Sequence, residues 1–161
     1  MRMKFLSVFA AVALLAACES APDSGANTGN VGNASVVTPA GPTPGSAEDF
    51  AVNVGDRVFF GFDQSTLTTE ERTVLERQAF WLRQYQNVAV VIEGHADERG
   101  TREYNLALGE RRASAARDYL VSLGINSGRI STISYGEERP IAVGSNEEAW
   151  AQNRVAISVV R

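Results

Sequence analysis

The feature that most constrains the fold is an alternation of strand-like and helix-like segments across residues 47–161. Four short runs are rich in β-branched and aromatic residues, as is typical of strands. Between them, apolar residues recur at three- and four-residue intervals, which is the period of an amphipathic helix. Helices between strands imply crossover connections, so the sheet is at least partly parallel. We therefore predict an α/β domain, an α+β sandwich in the order βαβαβ(α)β, with helices packed on a mixed four-stranded sheet.

The boundaries of these elements follow from local signals. Thr68 and Glu71 fit a capping box, which predicts that the first long helix begins directly after Thr68. The longest helical pattern spans residues 102–123 and ends at Gly124. Asn146 is placed to cap a short helix before the last strand. The predicted strands are RVFFGF (57–62), NVAVVIEGHA (87–96), RISTISYG (129–136) and VAISVV (155–160).

The N-terminus has the organisation of a secretory signal peptide, with two basic residues before an apolar run at residues 5–15. That run is shorter than the roughly 20 residues that cross a bilayer. The following Leu-Ala-Ala-Cys resembles the lipobox of bacterial lipoproteins. Cys18 is the only cysteine, so it cannot form an internal disulfide, and a thioether-linked lipid explains an unpaired thiol in an exported protein. We expect a signal peptide at residues 1–17 and a covalent lipid on Cys18. In enterobacterial lipoproteins, which this segment resembles, an Asp after the cysteine favours retention in the inner membrane. Glu19 stands at that position here, so the resemblance implies sorting to the outer membrane.

Residues 18–46 separate this anchor from the folded part. Gly, Ala, Pro, Ser, Asn and Thr dominate the segment, and it contains no aromatic residue. Such a composition buries too little apolar surface to offset the entropy of ordering. We predict a flexible tether spanning about 30 Å on average, followed by one domain of ordinary size at residues 47–161.

The charge of the chain excludes one class of partner. The net charge is −4, and no basic stripe runs along any segment. Nucleic-acid binding draws on clustered Lys and Arg that neutralise phosphates. We therefore expect no nucleic-acid partner.

The most charged stretch, EGHADERGTREYNLALGERRA at residues 93–113, contains the only histidine. On a continuing strand, Glu93, His95 and Asp97 would share one face and could bind a metal ion. No second His and no nearby Cys completes such a site. His95 also has no serine partner in a G-x-S-x-G context, as a hydrolase would need. We expect neither a metal site nor enzyme activity.

A polar pocket explains this stretch better. Asn105, Leu108 and Arg112 follow an i, i+3, i+7 spacing and would line one helical face, while Asp97 lies in the loop before the same helix. An Asp and an Arg that converge can bind a zwitterion, with an ammonium at the carboxylate and a carboxylate at the planar guanidinium. The spacing alone does not specify the ligand, and an amino acid is one candidate.

The same residues carry a family resemblance. GHADERGTREYNLALGERRASAARDYL resembles the signature of OmpA-like peptidoglycan-binding domains, and its HADERG…YN…LGERRA form is similar to that of the peptidoglycan-associated lipoproteins. VFFGFDQSTLT (58–68) is similar to the first-strand motif of the family, and ISYGEERP (133–140) to the third-strand motif. The resemblance covers nearly all of residues 47–161.

The resemblance implies a ligand and a site. These domains bind meso-diaminopimelate, the peptidoglycan stem residue whose far end carries a free ammonium and carboxylate. Asp97 is then expected to hold the ammonium and Arg112 the carboxylate. The rest of the peptidoglycan-binding site is expected to consist of Asn105, Leu108, Phe62 and Asp63.

The resemblance also has structural implications. Gly94 and Gly100 are expected in tight turns around the Asp97 loop. Near the C-terminus, NRVA (153–156) retains Arg154 but has Val155 where the family often has a second Arg.

The resemblance finally implies a non-catalytic outer-membrane lipoprotein that ties that membrane to peptidoglycan, without a cofactor. It would belong to the Tol–Pal system of envelope integrity and cell division, with TolB as main partner and TolA as a possible one. Two alternatives are a wall-binding lipoprotein of the same family without TolB, and a periplasmic metal-binding protein. We expect Asp97→Ala or Arg112→Ala to lose wall binding without unfolding the domain.

Overall fold

A computed structural model describes residues 41–161 of the chain. The predicted signal peptide, Cys18 and most of the tether lie outside the described residues. Within the described range, no helix combines the length and the apolar character needed to cross a membrane. The elements are α1 (Ala47–Asp49), a π-helical turn (Phe50–Val54), β1 (Arg57–Phe59), α2 (Thr69–Gln84), β2 (Val90–His95), α3 (Arg102–Ser122), a 3₁₀ turn (Ser127–Arg129), β3 (Ile130–Gly136), α4 (Glu147–Asn153) and β4 (Val155–Val160).

The four strands form one mixed sheet in the order β1-β4-β2-β3, which confirms the predicted fold class. β2 and β3 are parallel, while β4 is antiparallel to both of its neighbours. The first strand is shorter than predicted, because Phe59 pairs with Val155, the first residue of β4, and no partner strand continues beyond it. The residues that follow leave the sheet and enter a loop.

The core lies between the sheet and helices α2 and α3. Leu75, Ala79 and Leu82 are buried on α2 at the predicted helical spacing, whereas Tyr85 follows the helix and is only partly buried. Helix α3 contributes Ala113, Ala116 and Leu120, and the sheet contributes Val58, Val90, Ile92 and Ala156. Each fully buried Leu or Ile side chain stabilises the fold by about 1.5–3 kcal/mol.

Helix ends follow the predicted signals, with one difference. The Thr68 hydroxyl accepts a hydrogen bond from Glu71 N at 3.3 Å, and Asn146 caps α4 through Ala149 N at 2.9 Å. The Glu71 carboxylate, however, does not return to Thr68. It accepts a hydrogen bond from Phe59 N at 2.9 Å and so joins α2 to β1.

The segment before β1 contains structure that the sequence patterns do not predict. Asp49 accepts a hydrogen bond from Trp81 Nε1 at 2.8 Å, and the Phe50 ring packs edge-on against Trp81 with 4.9 Å between centroids. This short helical segment therefore packs against α2 as part of the core. Three residues in α1 are too few to show helical periodicity.

Candidate functional site

A cavity of about 220 Å³ lies beside the carboxyl end of β2. It is smaller than the roughly 300–1,000 Å³ of sites for drug-sized ligands, so it suits the end of a side chain rather than a whole peptide. The β1–α2 loop, the β2–α3 loop and α3 form its wall, and they supply Phe62, Asp63, Asp97, Arg99, Gly100, Tyr104, Leu108 and Arg112. The structure thus brings together five of the six predicted site residues, while Asn105 does not line the cavity.

The β2–α3 loop makes a tight turn that positions Asp97. Gly100 has a φ of 121°, which L side chains rarely adopt, and this agrees with the predicted turn. Thr101 then caps α3 by accepting a hydrogen bond from Tyr104 N at 3.2 Å. As a result, Asp97 and the first turns of α3 face the same cavity.

Gly94 has a different role from the one predicted. It lies within β2, and a Cβ at this position would come within 1.9 Å of the Gly109 carbonyl oxygen on α3. Two facing glycines therefore allow the helix backbone to approach the strand closely. The prediction of a turn at Gly94 is wrong, and close helix–strand packing explains the glycine.

Arg112 is fully buried, with 0% of its surface exposed. Its Nε donates to Gln64 O at 2.9 Å, Nη1 to His95 O at 2.8 Å and Nη2 to Gly61 O at 3.2 Å. Burial lowers the pKa of Arg112 to about 10, so the guanidinium stays charged at neutral pH. These bonds use three of its five N–H groups, which leaves one on each terminal nitrogen. A guanidinium can bind a carboxylate through one N–H on each terminal nitrogen.

Asp97 is one of two carboxylates that line the cavity and is only 5% exposed. Arg99 donates to it from Nη2 at 2.7 Å, from Nε at 3.2 Å and from the backbone N at 3.1 Å, and Arg154 Nη1 lies at 3.4 Å. Burial opposes ionisation, but these hydrogen bonds outweigh it and hold the pKa of Asp97 below its ordinary value. Asp97 is therefore a carboxylate at neutral pH.

Arg99 lies between two aromatic rings. Its guanidinium carbon is 4.2 Å from the ring centroid of Phe62 and 4.2 Å from that of Trp150. Glu147 provides a second carboxylate, at 3.6 Å from Nη1. Phe62 is 61% exposed, so it is a wall of the cavity and not a core side chain.

Asp63 has a left-handed backbone, with a φ of 55°. Its carboxylate accepts a hydrogen bond from the Tyr104 hydroxyl, and this bond raises the pKa of Tyr104. Left-handed backbone is unfavourable for a residue with a Cβ, and such conformations cluster at functional sites. The conformation places a second carboxylate at the cavity wall.

Asn105 supports the loop from behind the cavity. It is buried, and its Nδ2 donates to Arg99 O at 3.3 Å and to the Glu137 carboxylate. The helical row that lines the cavity is Tyr104, Leu108 and Arg112, spaced i, i+4, i+8. This row differs by one residue from the predicted one.

Sequence reasoning missed the roles of Arg99, Tyr104 and Trp150. The available signal for Arg99 was its position two residues after Asp97 in a turn, where it can fold back onto the carboxylate. For Tyr104 the signal was an i, i+4 row with Leu108. Trp150 gives no local signal, because it reaches Arg99 from α4, an element far along the chain.

The three side chains considered for a metal site do not converge. Glu93 lies 3.9 Å from Arg161, His95 Nδ1 forms a hydrogen bond with Arg139 O at 3.0 Å, and Asp97 binds arginines. No cluster of three or more His, Cys, Asp or Glu side chains suited to a metal ion occurs in residues 41–161. The described part of the chain gives the metal-binding alternative no support.

The C-terminal NRVA segment contributes to the site through its arginine. Arg154 donates to Phe60 O at 3.1 Å, to Glu147 at 2.9 Å and to Asp97, so it joins α4 to the cavity wall. Val155 is completely buried on β4 and is not among the residues that line the cavity. Val155, which stands where the family often has a second Arg, is therefore a core residue.

Comparison with known proteins identifies the family. The OmpA family model matches residues 59–154. The peptidoglycan-associated lipoprotein of Mesorhizobium japonicum is 61% identical over 118 residues, covering 73% of this chain and 70% of that protein. The corresponding lipoprotein of Brucella melitensis is 48% identical over 155 residues, covering 96% of this chain and 89% of the relative.

Solved structures agree with this result. The crystal structure of the peptidoglycan-associated lipoprotein from Burkholderia pseudomallei has a TM-score of 0.64 and 40% sequence identity, covering 66% of this chain and 90% of that one. The C-terminal domain of Helicobacter pylori MotB, at 21% identity and a TM-score of 0.62, shares the fold. The chain therefore belongs to the OmpA family and, within it, to the peptidoglycan-associated lipoproteins.

Proposed function

We propose that this chain is a non-catalytic anchor that ties the outer membrane to peptidoglycan by binding the free end of meso-diaminopimelate. One observation carries the proposal. The unused N–H pair of Arg112 and the carboxylate of Asp97 belong to one cavity of about 220 Å³. A guanidinium and a carboxylate in one small cavity complement a carboxylate and an ammonium on one carbon.

The size and accessibility of the cavity agree with this ligand. Phe62 and Tyr104 are exposed at its wall, and Leu108 provides an apolar surface for the methylene chain of the ligand. Only the zwitterionic end needs to enter, while the rest of the stem peptide stays outside. Peptidoglycan remains a polymer, since the proposed role needs binding and no bond cleavage.

Calorimetric titration tests the proposal. The protein is residues 18–161 with Cys18→Ser, called here the unlipidated chain, and the ligand is a muropeptide with meso-diaminopimelate. Saturable binding is expected, and a stem with lysine, which lacks the second carboxylate, is expected to bind about 30-fold more weakly or worse, because an unpaired charged partner costs about 2–5 kcal/mol. Equal binding of the two stems would contradict the assignment of Arg112 to the carboxylate.

The membrane anchor is the second part of the proposal. Lipid chains on Cys18 would hold the N-terminus in the outer membrane, since several acyl chains anchor stably where one does not. The tether then makes wall binding effectively intramolecular, so a modest affinity gives high occupancy. Labelling with radioactive palmitate followed by membrane fractionation tests this part, and label that persists in a Cys18→Ser chain would contradict it.

The third part is membership in the Tol–Pal system, with TolB as main partner and TolA as a possible one. Relatives named peptidoglycan-associated lipoproteins support it. We expect TolB and peptidoglycan to compete for overlapping surfaces. Co-purification of TolB that decreases as muropeptide is added would support this part, whereas a failure to recover TolB would favour a wall-binding lipoprotein without that partner.

A further inference from the structure

Building on the proposed function, we propose that Arg99 is an internal cation that occupies the ammonium position at Asp97 and has to leave before a zwitterionic ligand binds.

The first argument is that Asp97 is fully engaged. One carboxylate oxygen accepts from the Arg99 backbone N and Nε, and the other accepts from Arg99 Nη2 at 2.7 Å and Arg154 Nη1 at 3.4 Å. With two donors on each oxygen, the Asp97 carboxylate has no free acceptor position for a further cation. An incoming ammonium must therefore replace one of the two arginines.

The second argument is that Arg99 is the arginine that can move. The side chain of Arg154 is 9% exposed and is also held by Phe60 O and Glu147. The side chain of Arg99 is 31% exposed, and its contacts outside Asp97 are two stacked rings and one carboxylate. A partly exposed side chain is freer to change rotamer than a buried one.

The third argument is that a second position is ready for the displaced guanidinium. Glu147 lies 3.6 Å from Arg99 Nη1 and has a 65% exposed side chain. The rings of Phe62 and Trp150 form a slot around the guanidinium, at 4.2 Å on each side. A shift along this slot gives up the pair with Asp97 but keeps the existing pair with Glu147 and the cation–π contacts.

This arrangement would set the specificity of the site. While the cavity is empty, Arg99 keeps a desolvated carboxylate paired, which avoids the penalty of a buried lone charge. A simple cation such as a lysine side chain competes with a guanidinium that is already in place. A zwitterion also gains the two free N–H groups of Arg112, and this gain favours it over the simple cation.

The test compares Arg99→Gln with the wild-type unlipidated chain by calorimetric titration with meso-diaminopimelate and lysine muropeptides. Removing the competitor is expected to raise the apparent affinity for the diaminopimelate stem about tenfold, because a blocked state multiplies the intrinsic affinity by the open fraction, which is below one. Binding of the lysine stem should increase as well. Arg102→Gln is the matched control, since Arg102 pairs with Glu138 and does not line the cavity.

A second measurement follows Arg99 directly. In the ¹⁵N-labelled wild-type chain, the Nε–H resonance that is missing in Arg99→Gln reports the hydrogen bond to Asp97. We expect this resonance to shift or exchange-broaden when the diaminopimelate muropeptide binds, while that of Arg102 stays in place.

The outcomes separate this inference from the proposed function. If the wild type binds and Arg99→Gln binds equally or more weakly, the inference is overturned and the proposed function stands. If the wild type does not bind but Arg99→Gln does, the block by Arg99 is supported in its strongest form. If neither chain binds, both proposals are overturned.

Discussion

Arg112 has one role in the fold and another in the cavity. Its hydrogen bonds to Gly61, Gln64 and His95 join the β1–α2 loop to the end of β2. A buried carbonyl that loses its donor costs about 1–3 kcal/mol. These contacts argue against the sequence-based expectation that Arg112→Ala leaves the fold intact, which stays a prediction to be measured.

We predict that Arg112→Ala lowers the free energy of unfolding by about 3 kcal/mol or more, because three carbonyls lose their donor and a cavity forms. Arg112→Lys retains a charge and one donor group, so it should lose less stability than Arg112→Ala. It should still weaken ligand binding, because an ammonium cannot bind a carboxylate with the two parallel hydrogen bonds of a guanidinium. Urea denaturation measures both. An Arg112→Ala chain within about 0.5 kcal/mol of wild type would contradict the structural role of Arg112.

At Asp63 the backbone conformation and the charge can be tested separately. Asp63→Ala should destabilise the chain by about 1 kcal/mol relative to Asp63→Gly, because only glycine adopts the left-handed conformation without a Cβ penalty. Both variants remove the carboxylate, so both should weaken muropeptide binding to a similar extent. Equal stability of the two variants in urea denaturation would show that residue 63 does not need its left-handed backbone.

At the scale of elements, the close approach of α3 to β2 positions the row of α3 side chains that lines the cavity. Glycines at 94 and 109 face each other, and a Cβ on Gly109 would also come within 2.4 Å of Ser134 Oγ. This approach sets the rotation of α3, so that Tyr104, Leu108 and Arg112 line the cavity while Asn105 turns to Glu137. Helical spacing alone is compatible with two adjacent rows, one that contains Tyr104 and one that contains Asn105. It does not show which of the two rows faces the cavity.

We predict that Gly94→Ala lowers the free energy of unfolding by about 3 kcal/mol, since the added methyl group meets the Gly109 carbonyl and rigid backbone has to shift. Muropeptide binding should weaken as well, because α3 carries three residues of the cavity. Gly41→Ala is the control, as a Cβ there has nothing within 4 Å and should change neither property. Urea denaturation and calorimetric titration measure the two effects, and a Gly94→Ala chain as stable as the control would disprove the packing role.

At the scale of the whole molecule, His95 links folding to pH. It is nearly completely buried, its Nδ1 bonds to Arg139 O, and its Nε2 has no hydrogen-bond partner among residues 41–161. Burial lowers the pKa of His95, with smaller opposing contributions from the Arg139 carbonyl and Glu93 that raise it, and others from the Arg139 and Arg57 charges that lower it. The folded chain therefore favours the neutral imidazole more than the unfolded chain does.

We predict an acid-dependent loss of stability that His95 causes. Below about pH 6.5 the unfolded chain takes up a proton that the folded chain does not, so the free energy of unfolding falls by up to about 1.4 kcal/mol per pH unit. The fall ends once the pH passes below the lowered pKa of folded His95. Urea denaturation from pH 7.5 to 5 measures the slope, and His95→Gln should flatten it; an unchanged slope would assign the effect to other groups.

Most of the secondary structure could be predicted because its signals are local. Thr68 and Asn146 cap helices through hydrogen bonds to residues three positions away, and the apolar period of α2 marks its buried face. The α1 segment could not be predicted, since it is too short to show a helical period and its packing depends on Trp81 of the distant helix α2. The strand order could not be predicted either, because it pairs the first strand with the last.

The sequence by itself determined the fold class and, through its motifs, which side chains to expect at one site. Five of them line one cavity: Phe62, Asp63, Asp97, Leu108 and Arg112. Their role in binding stays a prediction. Only the tertiary structure decided that Arg112 is held by carbonyls 48 and 51 residues away and that Arg99 is seated on Asp97 between two rings. The physical reason is that burial and hydrogen-bond partners at this site depend on contacts between loops that are far apart in the sequence. Local patterns such as helical periodicity and capping residues do not specify those contacts.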